Sequence, residues 1–137
     1  MMKQLSIFVE NRPGSMMEVT KALKEYDINI RAISGFDAPE FMILRLIVDD
    51  PARAREELVK HGFVARLGDV TALELDDEKG KLNEVLELLA DHNINLNYIY
   101  SFVIRDSQKP LMILHSEDLE KTEAVLKAEG LTLVEEP

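Results

Sequence analysis

The residues best placed to do chemistry are the turn formers Asn11-Arg12-Pro13-Gly14-Ser15-Met16, which stand at the start of an amphipathic pattern. Met16, Val19, Leu23 and Tyr26 recur there at helical spacing. A helix N-terminus presents unpaired N–H groups and a partial positive charge, so the chemistry on offer is recognition of a carboxylate rather than bond making. Gly14 lets the backbone come close to a ligand and adopt angles that a side chain forbids. In this reading the amides of Ser15 and Met16 hold the carboxylate, and Asn11 meets an amino group through its side-chain oxygen. Asn29 or Asn95, followed by Ile30 and Leu96 at the start of long strands, supplies a second polar contact from the same or the other half of the chain. The same residues also fit a plain architectural role. Gly14 then makes the turn, Ser15 caps the helix with Glu18 completing a capping box, and the two Asn residues accept left-handed geometry between helix and strand.

Other chemistry finds less support. His61, His92 and His115 lack ligand-like spacing, and the chain has no cysteine, so neither a thiolate metal site nor a disulfide framework is available. Asp49-Asp50 and Asp76-Asp77 are neighbours whose side chains tend to point apart in a strand or turn, which suits helix capping better than acid/base catalysis. Ser15 has no His and carboxylate close to it in sequence, and glycines are scattered singly, without a phosphate-binding loop. Tyr98, Tyr100 and Phe102 share one face of an expected strand, where packing or a subunit contact accounts for them better than a stacked ligand. The formal net charge of −10, with basic residues dispersed, argues against nucleic acid or an anionic membrane as partner. No apolar run is long enough to span a bilayer, and the N-terminus does not read as a signal peptide, so a soluble cytoplasmic protein is expected.

The elements that position the turn occur twice. Gly14 and Gly80 lie 66 residues apart, as do Asn29 and Asn95, and with that offset Glu18 falls on Glu84, Val19 on Val85, Leu23 on Leu89, Ile28 on Ile94 and Phe36 on Phe102. In the first copy Leu5, Ile7 and Val9 alternate as a strand, and a helix follows the turn. Strands from Ile28 to Gly35 and from Phe41 to Val48 come next. Asp50-Pro51 starts a second helix, which His61-Gly62 ends, and a short strand covers Phe63 to Leu67. The second copy replays this as a strand at Thr71 to Leu75, a helix over Lys81 to His92, strands at Ile94 to Ile104 and Leu111 to Leu114, a helix over Asp118 to Glu129, and a strand at Leu131 to Val134. Only Gly68-Asp69 is left between the copies, so the domains read as 1–68 and 69–137, in contact and close to the lower size at which a core holds a fold. The fold class is α+β: two ferredoxin-like βαββαβ units, each an antiparallel sheet with both helices on one face.

Asn11-Arg12-Pro13-Gly14-Ser15-Met16, with Val19, Leu23 and Ile28-Asn29-Ile30, resembles the signature of the ACT domain, a small regulatory module of amino-acid metabolism with this order of elements. The resemblance covers nearly the whole chain, twice, and is similar to free-standing tandem ACT proteins with no attached catalytic domain. It implies a regulatory protein without cofactor. An amino acid would bind where the first turn meets a neighbouring module and change the arrangement of modules or subunits. The implied partners are that amino acid, a second copy in a homodimer and a metabolic enzyme; a structural module that docks on an enzyme without any ligand is the alternative. In the second copy Glu78-Lys79 replaces Arg12-Pro13, a departure from the pattern at the corresponding turn.

Overall fold

In a computed structural model of the chain, residues 1–101 and 109–137 are described, and they divide into two compact units. The first is Lys3–Gly68 with Pro137; the second is Asp69–Glu136 with Met1–Met2. The elements are β1 (Met2–Glu10), α1 (Ser15–Glu25), β2 (Ile30–Asp37), β3 (Phe41–Val48), α2 (Pro51–Lys60), β4 (Val64–Glu74), α3 (Lys81–Asp91), β5 (Leu96–Ser101), β6 (Leu111–Ser116), α4 (Leu119–Ala128) and β7 (Leu133–Val134). The expected strand beyond Ser101, with Phe102 and most of the loop before Leu111, lies outside the described residues.

Alternation builds the first unit. In β1 and β3, antiparallel partners Leu5 and Leu46, and Ile7 and Leu44, all point to one face and are fully buried. Against that face pack Val19, Ala22 and Leu23 of α1 and Ala54 and Leu58 of α2, so both helices cover the same side of the sheet. The strands lie in the order β2-β3-β1-β4. In the second unit the order is β7-β4-β6-β5, and Leu73 and Leu114 meet Val85, Leu89 and Leu126 in the equivalent core. Every pairing with a resolved register is antiparallel. This is the α+β, ferredoxin-like architecture read from the sequence.

Several local readings change. The strands expected at Phe63 to Leu67 and Thr71 to Leu75 are one strand, β4, which runs through Gly68-Asp69 without a turn. Strand β2 starts at Ile30, two residues later than expected, because Ile28 turns into the core at 6% exposure while its N–H closes the helix end on the Leu23 carbonyl at 3.0 Å. The left-handed residues between helix and strand are Asp27 (φ 56) and Asn93 (φ 57), not Asn29 and Asn95. Both are residue types that tolerate that geometry, since a short polar side chain interacts with its own backbone. The second helices are capped at both ends: Asp50, expected at a helix start, accepts from the Arg53 N–H at 3.3 Å, Asp118, expected as the first helical residue, is instead the cap and accepts from the Lys121 N–H at 3.0 Å, and Gly62 (φ 86) and Gly130 (φ 79) end the turns.

Candidate ligand-binding site

The turn before α1 is built by Gly14, at φ 88 and ψ −10, which is the residue preceding the helix. This corrects the capping box. Ser15 is the first helical residue and makes no capping bond, and the residue is only 3% exposed. Glu18 does not reach back to the Ser15 N–H but pairs with Arg12 at 3.1 Å. The second copy shows why a cap is dispensable, since Lys81 stands in the place of Ser15 while Gly80 repeats the left-handed geometry at φ 85. It is the glycine that makes both corners.

Around that corner the polar groups are sorted. The Ser15 N–H donates to the Arg12 carbonyl at 3.3 Å, and the first regular helical bond runs from the Glu18 N–H to the Gly14 carbonyl at 3.0 Å. The amides that remain open at this helix end are therefore those of Met16 and Met17, one residue further along than Ser15 and Met16. Met16 and Met17 are themselves exposed. Asn11 donates through Nδ2 to Asp37 Oδ1 at 2.8 Å, which ties the turn to the end of β2 and leaves the amide oxygen to accept from a ligand. Arg12 Nε pairs with Glu10 at 3.0 Å, and the two carboxylates together, Glu10 first and then Glu18, raise the guanidinium above its ordinary pKa. Pro13 is exposed between them.

Asn29 and Ile30 lie at the other end of α1. The eleven residues of that helix rise about 16 Å, so within one unit Asn29 does not reach a ligand at the Gly14 turn. Its N–H is held by Asp49 Oδ1 at 3.1 Å, and its carbonyl accepts from the Asp49 N–H at 3.2 Å. Asn95 and Leu96 occupy the same place in the second unit: Asn95 borders a small pocket with Ser116 and Lys121, and Leu96 packs on the core. The bonds of Asp37 to Asn11 and of Asp49 to Asn29 are not legible in the sequence, because each forms only once the strands pair, at separations of 26 and 20 residues.

The remaining candidates read as structure. Tyr98 stacks on His115, with ring centroids 4.8 Å apart and planes 3° from parallel, and Tyr100 lies 6.3 Å from Tyr98. Among the described residues no three His, Asp or Glu side chains gather as a metal cluster, and no helix is long and apolar enough to cross a membrane.

Two βαββαβ units in tandem, each with a glycine corner feeding its first helix, define a duplicated ferredoxin-like protein. The chain belongs to the ACT domain pair family, whose model matches residues 1–137. Among solved structures it is similar to protein BT0572 from Bacteroides thetaiotaomicron, with 32% identity and a TM-score of 0.89 over 97% of this chain and 91% of that one. It also shares its fold with the regulatory subunit of aspartate kinase from Thermus thermophilus, solved ligand-free, at 20% identity and a TM-score of 0.66 over 93% and 90% of the two chains. The corresponding subunit from Thermus flavus aligns at 19% identity and a TM-score of 0.63 over 92% and 88%. No curated protein matches the chain.

Proposed function

We propose that the chain senses an amino acid at the Asn11–Met16 turn, where that turn meets a neighbouring ACT module, and that binding favours one arrangement of modules or subunits. The observation that carries this reading is the left-handed Gly14 corner, which leaves the Met16 and Met17 amides open at a helix N-terminus beside the Asn11 amide oxygen. The open amides take the carboxylate and the Asn11 oxygen takes the ammonium. Asn29-Ile30 or Asn95-Leu96 of an adjoining module adds the second polar contact. The fold shared with regulatory subunits of aspartate kinase supports a metabolic enzyme as the controlled partner, and our reading takes a homodimer in the cytoplasm as the working form. A ligand shifts such an equilibrium only as far as its affinities for the two arrangements differ.

Thermal unfolding against a panel of amino acids tests it. A ligand at about 100 times its dissociation constant adds about 2.7 kcal/mol, so a selective shift of several degrees is expected. No shift with any amino acid would remove this reading. The second reading is a ligand-free interaction module, favoured by Ile33, Phe36 and Phe41, which stand exposed on the β2–β3 side of the first unit. Substitutions there or at Tyr98 and Tyr100 that alter oligomeric state, with no small-molecule response, would support it.

A further inference from the structure

On the inner side of the same turn, a groove of about 280 Å³ opens between the end of β1, the first turn of α1 and the Gly62 corner. Ser15 forms one wall. Its hydroxyl is buried, on a residue only 3% exposed, and has no hydrogen-bond partner. Unpaired buried hydroxyls are uncommon because folding strips them of water without compensation. The other walls are Phe8 and Val9 from the strand and Phe63 and Val64 beyond the corner, and Glu10, Arg12 and Glu18 add charged groups to the lining. At the rim Arg12 stands between Glu10 at 3.0 Å and Glu18 at 3.1 Å.

The second unit has a groove in the same place, of about 330 Å³. Leu75 falls on Val9 and Glu84 on Glu18 by the 66-residue repeat, and Gly130 replaces Gly62 at the corner. There the position of Ser15 is taken by Lys81, which pairs with Glu84 at 3.4 Å and leaves no orphan group. The groove is thus a property of the fold, and the unpaired hydroxyl is a property of the first copy.

We propose that the first groove receives the side chain of the bound amino acid, and that the ligand is an α-amino acid with a short polar side chain whose tip hydrogen-bonds to Ser15 Oγ. This rests on the reading that the Gly14 turn holds the backbone of an amino acid. The volume, just under the range of small-molecule pockets, about 300–1,000 Å³, admits such a side chain, and the choice of a polar tip rests on Ser15. A hydroxyl or amide tip satisfies Ser15 in both directions, since a serine hydroxyl donates and accepts. An aliphatic side chain of equal size buries the hydroxyl still unpaired, and a site with a buried polar group discriminates against such an analogue.

The isosteric pairs threonine and valine, and serine and α-aminobutyrate, supply the test. Binding is read by thermal shift and by the emission of a Phe63→Trp variant, whose tryptophan is unique because the chain has none. The polar member of at least one pair is expected to bind the wild type about two- to twelvefold tighter, the span of one hydrogen bond. In Ser15→Ala that preference should vanish, while the unliganded variant melts no lower than wild type because the deleted hydroxyl had no partner. Amino-acid binding that is lost in Gly14→Ala, yet shows no polar preference or keeps it in Ser15→Ala, would overturn the groove and leave the turn reading intact. A thermal shift with threonine or serine but no change in the tryptophan emission of the Phe63→Trp variant would also overturn it. Failure of every amino acid to bind the wild type overturns both.

Discussion

Replacing Gly14 with Ala isolates what the corner costs. A β-carbon built on Gly14 meets nothing within 4 Å, and the same holds at Gly80, so neither substitution is opposed by crowding. What opposes it is φ, +88 at one position and +85 at the other. Holding an L-residue in the left-handed region costs roughly 1–2 kcal/mol. Against this, Ala stiffens the unfolded chain and recovers about 0.4–1 kcal/mol, which leaves a net loss of about 1 kcal/mol. For a chain of this size that lowers the melting temperature by about 4 °C. Asn tolerates the region, so Gly14→Asn should lose less than Gly14→Ala, and Gly14→Val, β-branched, should lose more. Gly80→Ala is the internal control: its φ and its open surroundings match, so its loss should agree with that of Gly14→Ala to within about 0.5 kcal/mol. Urea midpoints measure all four. The reasoning is refuted if Gly14→Ala is as stable as wild type, or if the Ala and Asn variants fall together. With a stabilising amino acid present the two alanine variants should part: Gly14→Ala loses the thermal shift and Gly80→Ala keeps it.

Other outcomes follow from the caps, the core and the alkaline titration. Asp50→Ala and Asp118→Ala each remove the acceptor for an N–H in the first turn of a helix and should each cost about 1 kcal/mol in urea unfolding; a neutral result would show the caps to be dispensable. Leu89→Ala empties a fully packed position in the second core and should cost about 2–5 kcal/mol by the same assay. The Tyr26 phenol is pushed above its ordinary value of 10.0 by burial first and then by the charge of Glu57, so the folded chain keeps the proton where the unfolded chain releases it. Its contribution to stability is complete below about pH 10 and declines as pH rises through the folded value. Lys60, raised first by its bond to Glu56, adds loss of the same sign. Tyr26→Phe should therefore flatten the alkaline fall in urea midpoint, and an unchanged slope would contradict the assignment.

What could be read in the sequence was whatever depends on near neighbours or on the repeat. Alternation in Leu5, Ile7 and Val9 needs only period two, and the core of β1 is where that pattern puts it. The Asp50-Pro51 start is equally local. The Ser15 cap was misread because the Ser-x-x-Glu pattern fits a capping box, while the deciding quantity is the backbone angle of Gly14. Lys81 in the matching position was the available hint. Asp27 and Asn93, also 66 apart, carry the left-handed corner, but Asn29 and Asn95 repeat at the same offset, and residue type alone does not separate Asn93 from Asn95. The single strand β4 was not legible, because strand pairing is set by partners far along the chain and Gly68-Asp69 has the composition of a turn. In the site, the turn residues were visible, but the bond of Asn11 to Asp37 and the approach of Phe63 to the Ser15 groove exist only after the sheet has formed.

Strand β2 ends the first unit's sheet with eight residues whose outer N–H and C=O groups have no neighbouring strand in that unit, and Ile33 and Phe36 are exposed on it. Such an edge is a template for another strand. The chain carries a formal charge of −10, so two copies approaching edge to edge repel. At 0.01 M salt that repulsion reaches about 30 Å, and at 0.1 M about 10 Å. Ionic strength thus sets the range of a colloidal repulsion on this protein: dilute buffer extends it well beyond the reach of a β2 edge, and added salt shortens it without altering any residue.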